Sequence, residues 1–188
     1  MRKIIAAINM TLDGFCDHTA GLPDEEIHQH YTELLGQADL ILYGRITYQL
    51  MEFWRTLLEN PSEEKSMNDF ALAIDKIQKI VFSHTLKDVD WASARLADQT
   101  LEEEVLALKQ QPGAAILVGS RSLIIQLMNL NWIDEYQLCV HSVVAGSGLP
   151  LFENINDRTI LKLTKTKTFS GNAVTLYYEP TNKITTNR

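Results

Sequence analysis

Four short apolar runs, each leading into a corner rich in glycine, hydroxyl or arginine residues, constrain this chain more than any other feature. They are Lys3–Asn9 (KIIAAIN), Asp39–Tyr43 (DLILY), Lys79–Ser83 (KIVFS) and Ala115–Val118 (AILV). A continuous apolar run lacks the in-and-out alternation of a half-solvated strand. It predicts a strand buried on both faces, and therefore helices on both sides of the sheet. The intervening sequence supplies those helices. Asp24 is placed to cap a helix whose stripe is Ile27, Tyr31, Leu34 and Leu35, closed by Gly36. A second helix follows Gly44 through about Leu58, with Tyr48, Met51, Phe53 and Trp54 for packing. After the Asn60-Pro61-Ser62 break, a third runs from Glu63 to Asp75. Leu101–Lys109 carries Leu101, Val105 and Leu108 on one face and ends at Gln111-Pro112-Gly113. Ser120 is placed to cap a helix reaching about Asn129.

The last third reads differently. Glu135–Val144 is a long strand with Tyr136, Leu138 and Val140 alternating against polar neighbours. Thr159–Thr168 and Ala173–Glu179 read as a hairpin around Ser170-Gly171-Asn172. Strands separated by helices require mostly parallel pairing, and the final hairpin adds antiparallel strands at an edge. The expectation is an α/β fold: a mixed, mainly parallel sheet with helices on both faces and a C-terminal antiparallel hairpin. One domain spans 1–180, followed by a polar tail, 181–188.

Composition removes several classes of function. No stretch approaches the ~20 consecutive apolar residues of a membrane helix. The formal net charge is -7, so bulk attraction to nucleic acid is excluded as a mode of binding. Any phosphorylated ligand must be held by a local field. The two cysteines, Cys16 and Cys139, have no metal-binding spacing and suit a reducing cytoplasm. The sequence holds no G-x-G-x-x-G after the first strand, no G-x-x-x-x-G-K-[ST], no H-E-x-x-H and no G-x-S-x-G. His28 and His30 stand two apart on a helix and read as surface residues rather than metal ligands. The methionines read as core filler and Trp54, Trp91 and Trp132 as packing or interface anchors.

Three strand-to-helix corners carry the candidate chemistry. At Gly44-Arg45-Ile46-Thr47, glycine permits close backbone approach, arginine offers a planar fork for phosphate, and Thr47 adds a hydroxyl in the first helical turn. Gly119-Ser120-Arg121-Ser122-Leu123 repeats that logic. Ser83-His84-Thr85 is a polar cluster directly after a strand. Each has a plainer reading as a turn or a cap, and their repetition at successive strands points to a dinucleotide cradle. Asp13-Gly14 follows the first strand. It reads either as a simple turn or as an acid whose proton affinity is raised by partial burial, able to anchor or protonate a heterocycle.

In that order, Met10-Thr11-Leu12-Asp13-Gly14-Phe15, Leu42-Tyr43-Gly44-Arg45-Ile46-Thr47-Tyr48, Val81-Phe82-Ser83-His84-Thr85-Leu86, Val118-Gly119-Ser120-Arg121-Ser122-Leu123, Trp132-Ile133-Asp134-Glu135-Tyr136 and Gly146-Ser147-Gly148-Leu149-Pro150-Leu151-Phe152 resemble a known family. It comprises the bacterial dihydrofolate-reductase-like proteins related to the C-terminal reductase domain of the riboflavin-biosynthesis deaminase-reductase. The resemblance implies a three-layer sandwich and hydride transfer from NADPH, with NADH as the other candidate cofactor. The acceptor would be a pteridine-like or ribosylaminopyrimidine ring.

By similarity, Ala7 lies near the nicotinamide and Gly44, Arg45 and Thr47 hold the diphosphate. Ser83, His84 and Thr85 face the adenosine ribose and its 2′-phosphate. Gly119, Ser120, Arg121, Ser122 and Leu123 line the diphosphate from the other side, and Asp13 lies beside the substrate. A cytoplasmic homodimer binding a small heterocycle, with neither nucleic acid nor membrane as partner, completes the expectation. Two departures stand out: His84 replaces an arginine common in relatives, and Val140-His141-Ser142-Val143 lacks their proline. The deaminase zinc motif is absent. A different class, a nucleotide-binding regulatory module without turnover, predicts binding but no hydride transfer. A dimeric scaffold with an empty cleft predicts neither.

Overall fold

A computed structural model describes residues 1–181. The elements, in chain order, are β1 (Ile4–Thr11), α1 (Glu25–Leu35), β2 (Ala38–Gly44), α2 (Arg45–Met51), α3 (Phe53–Glu59), α4 (Lys65–Lys76), β3 (Gln78–Phe82), β4 (Ala94–Leu96), α5 (Leu101–Gln110), β5 (Ala115–Val118), α6 (Arg121–Asn129), β6 (Glu135–His141), β7 (Leu161–Thr168) and β8 (Val174–Pro180). The architecture is mixed α/β, mainly parallel, with a C-terminal antiparallel hairpin. Two compact units compose it: residues 1–3 with 23–120, and 4–22 with 121–181.

The first unit contains four parallel strands in the order β4-β3-β2-β5. Leu42, Val81, Ile116 and Val118 are fully buried on them, as the unbroken apolar runs require. Asp24 accepts from the Ile27 N–H at 2.9 Å and so caps α1. Gly36 closes that helix in right-handed geometry (φ -66), its N–H donating to Thr32 O, so no left-handed glycine is needed here. Thr100 and Glu103 form a reciprocal capping box on α5. The helix expected after Gly44 is divided in two at Glu52, whose backbone stays right-handed (φ -59).

Two features of this unit depart from the sequence reading. β4 is a three-residue strand whose residues are all at least partly exposed, too short and too polar to leave a pattern. Far from lying on the surface, His30 is buried and His28 is half-buried. The His28 ring meets the edge of Trp54 at 5.5 Å, and Trp54 meets Phe70 at 4.5 Å, so one aromatic stack ties α1, α3 and α4. Burial holds the His28 imidazole below its ordinary proton affinity. Among the described residues no group of histidines, cysteines and acids is placed to hold a metal ion.

The second unit contains β1-β6-β8-β7. β1 and β6 are parallel, with Ala7 opposite Gln137, and β8 runs antiparallel to both β6 and β7. β6 stops at His141 rather than Val144, because Val143 leaves the ladder and its carbonyl accepts from Leu12 N. In the hairpin, Asn172 rather than Gly171 takes the left-handed position (φ 64). Thr181, the first residue of the expected tail, is tied to Ile160 O through both N–H and hydroxyl. Residues 182–188 lie outside the described residues. Among the described residues no helix is long and apolar enough to cross a membrane.

Candidate functional site

Parallel pairing brings three of the expected corners to one edge of the first unit. Gly44 is in register with Phe82, and Leu42 with Val118, so the carboxyl ends of β3, β2 and β5 are adjacent. Ser83 follows the first of these ends, Arg45 the second and Gly119 the third. Crevices beyond the carboxyl ends of parallel strands are where α/β sheets take ligands, because strand ends and helix starts leave backbone groups unspent there.

Ser120 joins two of the corners. It is 1% exposed, and its Oγ accepts the Gly44 N–H at 2.8 Å. This bond holds the first residue before α2 against the residue before α6. That hydroxyl keeps its O–H donor and one further acceptor lone pair. Ser83 behaves similarly: its Oγ accepts from Thr85 N at 3.1 Å and Leu86 N at 2.9 Å, shaping a tight turn in which His84 and Thr85 are exposed.

Arg45 is the open cation of this edge. It is exposed, and its Nη1 donates to Gln49 Oε1 at 3.1 Å. Among the described residues no carboxylate pairs with it. Thr47 is half-buried, its hydroxyl makes no hydrogen bond among the described residues, and no side chain caps the first turn of α2. An uncompensated guanidinium beside uncapped N–H groups is a donor set that suits a phosphate anion.

The remaining expected residues belong to the second unit. Arg121 is not open in the way Arg45 is: its Nε donates to Pro150 O at 2.6 Å, and its Nη2 pairs with Glu153. A phosphate there has to compete with a carboxylate already in place. Ser122 is exposed in the first turn of α6. Leu123 buries its side chain, so it has only its backbone to offer a ligand. Ala7 is buried in the middle of β1.

Asp13 reverses the expected direction. Its side chain is exposed, and its carboxyl is pulled down to about 2 by the Thr11 hydroxyl, then by the Gly146 and Ala145 N–H groups. Thr11 Oγ1 donates at 2.6 Å, Gly146 N at 2.7 Å and Ala145 N at 3.1 Å. The residue is therefore a carboxylate at neutral pH, not a stored proton. The little burial it has raises its affinity less than the three donors aimed at it lower it.

Residues outside the expected set complete this picture. Asp17, four residues on, accepts from Leu149 N at 2.7 Å, so two aspartates fasten the 12–22 loop to the 143–151 loop. A side chain at Gly148 would collide with Asp17 Oδ2, so glycine is required at that position. His141 is 1% exposed; its Nδ1 accepts the Leu22 N–H at 3.0 Å. A backbone N–H can only donate, so the ring proton sits on Nε2, which faces Asn9 Oδ1 at 3.1 Å. Asp17 left no cue in the sequence, and His141 was marked only as part of a segment that departs from relatives, since nothing local reveals which loop a strand-end histidine will meet.

The fold and these corners define a dihydrofolate-reductase-like α/β domain of the reductase type. Residues 2–175 match the RibD C-terminal domain family, and the chain belongs to it. It is 39% identical over 181 residues to the uncharacterised protein YyaP of Bacillus subtilis (strain 168), with 94% of each chain covered. In fold it is similar to a pyrimidine reductase-like protein from Corynebacterium diphtheriae, with TM-score 0.67, 14% identity and coverage of 97% of this chain and 93% of that one. It is also similar to RibD of Acinetobacter baumannii, with TM-score 0.66 and 12% identity. There it spans 97% of its own length but 59% of the longer chain.

Proposed function

We propose that this protein is a reductase that uses NADPH or NADH to reduce a pteridine-like or ribosylaminopyrimidine ring. The observation that carries the reading is the edge formed by three adjacent corners, where Arg45 stands open with no carboxylate partner among the described residues. Membership of the RibD C-terminal domain family supports it, as does the likeness to a pyrimidine reductase-like protein. The cofactor, when bound, supplies the hydride; the chain's work is binding and orientation.

In this reading Arg45 and Thr47 take the diphosphate, with Gly44 allowing the backbone to approach it. Ser120 acts as a positioning residue through Gly44, and Gly119 keeps that corner small. Ser83, His84 and Thr85 face the ribose and its 2′-phosphate. A histidine there lacks the planar fork of an arginine, so both NADPH and NADH are candidate cofactors. Asp13, held ionised, fastens the loop that borders the substrate, and solvent water supplies the proton. The protein works as a cytoplasmic homodimer.

Tryptophan fluorescence titrated with NADPH and NADH, followed by absorbance assays with dihydrofolate and with the riboflavin ribosylaminopyrimidine, tests the reading. Saturable binding with cofactor oxidation by one substrate is expected. Absence of binding overturns the assignment. Binding with no oxidation by any such ring indicates the regulatory module instead.

A further inference from the structure

The loop from Leu12 to Leu22 is fastened differently at its two ends. Near the start, Asp13 accepts from the Ala145 and Gly146 N–H groups, and Asp17 accepts from Leu149 N. At the far end the Leu22 N–H donates to Nδ1 of His141 at 3.0 Å. The first acceptors are carboxylates and the last is an imidazole. An ordinary carboxylate stays ionised from about pH 5 to pH 8, whereas imidazole is the side chain that changes charge within that range.

His141 is 1% exposed at the end of β6. Because Nδ1 takes the Leu22 N–H, the proton of the neutral ring is on Nε2, facing Asn9 Oδ1 at 3.1 Å. A second proton has one place to go, Nδ1, where it meets the Leu22 N–H head-on. Two donors cannot satisfy each other, and an imidazolium so enclosed is costly. The ring has little room to turn aside. Gly21 runs against it so closely that a Cβ there would stand 3.1 Å from Nε2.

The groups around the ring come from three elements. From β6 the titratable neighbour is Cys139, a thiol whose Sγ is 3.9 Å from Nε2. From β1 come Asn9 and, in register with His141, Thr11; both are neutral, and Thr11 turns its hydroxyl to the Asp13 carboxylate. The loop itself brings Gly21 and Leu22, both neutral, while its acids Asp13 and Asp17 are turned to the 145–149 amides.

We propose that His141 is a proton-operated latch on the 12–22 loop. Neutral, it holds the far end of the loop through Leu22. Protonated, it releases that end while Asp13 still holds the other. The latch lies wholly within the second unit and does not depend on the reductase reading.

Nuclear magnetic resonance of the full chain from about pH 8 to about pH 5 tests it. The readouts are the His141 ring-nitrogen shifts and the hydrogen-exchange protection of the Leu22 and Gly146 amides. At the alkaline end the ring should show the tautomer with its proton on Nε2. As the ring gains its second proton, Leu22 protection should fall about ten-fold or more, the loss of one hydrogen bond, and Gly146 protection should hold. His141→Asn sets an amide oxygen, which does not titrate, near the place of Nδ1. It should keep Leu22 protected and remove the pH dependence. His141→Leu should leave Leu22 unprotected across the whole range.

Leu22 protection that stays flat with pH in the wild type overturns the proposal, as does a pH dependence that survives in His141→Asn. So does loss of Gly146 protection in step with Leu22, which denotes opening of the whole unit rather than of one fastening. The first and third of these are read on the wild type and need no folded variant.

Discussion

The backbone N–H of Gly44 donates to the hydroxyl oxygen of Ser120 over 2.8 Å, locking the turn after β2 to the turn after β5 across 76 residues of sequence. Removing that acceptor leaves a largely enclosed donor without a partner. Ser120→Ala is expected to destabilise the protein by about 1–3 kcal/mol, the usual cost of an unmade buried hydrogen bond. Urea unfolding of the two proteins measures it. Because Gly44 adjoins Arg45, cofactor affinity should fall as well, although Ser120 itself is almost fully covered.

Arg45 separates binding from stability. It is exposed and its partner among the described residues is a glutamine, so Arg45→Ala should leave the urea midpoint within error of the wild type. A charge-assisted contact to phosphate is worth about 1.5–3 kcal/mol, so NADPH affinity should drop roughly 10- to 100-fold. The salt dependence of binding should become shallower. Equal affinities for wild type and variant would remove Arg45 from the site.

Asp13 sets an acid limit on the loop it fastens. Its folded-state carboxyl is depressed from 3.8 to about 2. A depressed acid contributes stability that is complete above its unfolded value and lost as pH falls through its folded value. The contribution should therefore fade between about 3.8 and 2 and be constant at neutral pH. In Asp13→Asn, hydrogen exchange at the Ala145 and Gly146 amides should accelerate at neutral pH while the core strands stay protected. Unchanged exchange at those amides would show that the clamp is dispensable.

Lys79 acts at the other end of the pH scale. It is 1% exposed, with Nζ donating to Ile77 O and Ser93 Oγ and lying 4.0 Å from the Trp91 ring centroid. Burial brings its pKa from 10.5 down to about 8. Between those values the unfolded chain keeps a proton the folded chain has released, so stability rises with pH across that interval. Lys79→Met should flatten that slope. Urea midpoints measured through the interval decide it, and a wild-type profile flat or falling there would contradict the assignment.

Much of this fold was legible in the linear sequence. Apolar runs without alternation could be satisfied only by doubly covered strands, and the caps at Asp24 and Thr100 are local chemistry, made within a few residues. The corners were legible as places where a strand gives way to a helix, although each one read equally well as a turn or a cap. Local sequence was silent wherever a partner comes from far along the chain. It could not tell that Ser120 would spend its oxygen on Gly44, that Arg121 would meet Glu153, or that Gly146 would hold Asp13 ionised.

The chain's own order of residues thus determined its strands, its helices and the kinds of group at each corner, since these follow from short-range sterics and from the period of apolar side chains. The tertiary structure alone decided which of those groups remain open to a ligand. Charge and hydrogen-bonding capacity are used up by whichever neighbours the fold brings within reach, and that reach is set by strand register rather than by distance along the chain.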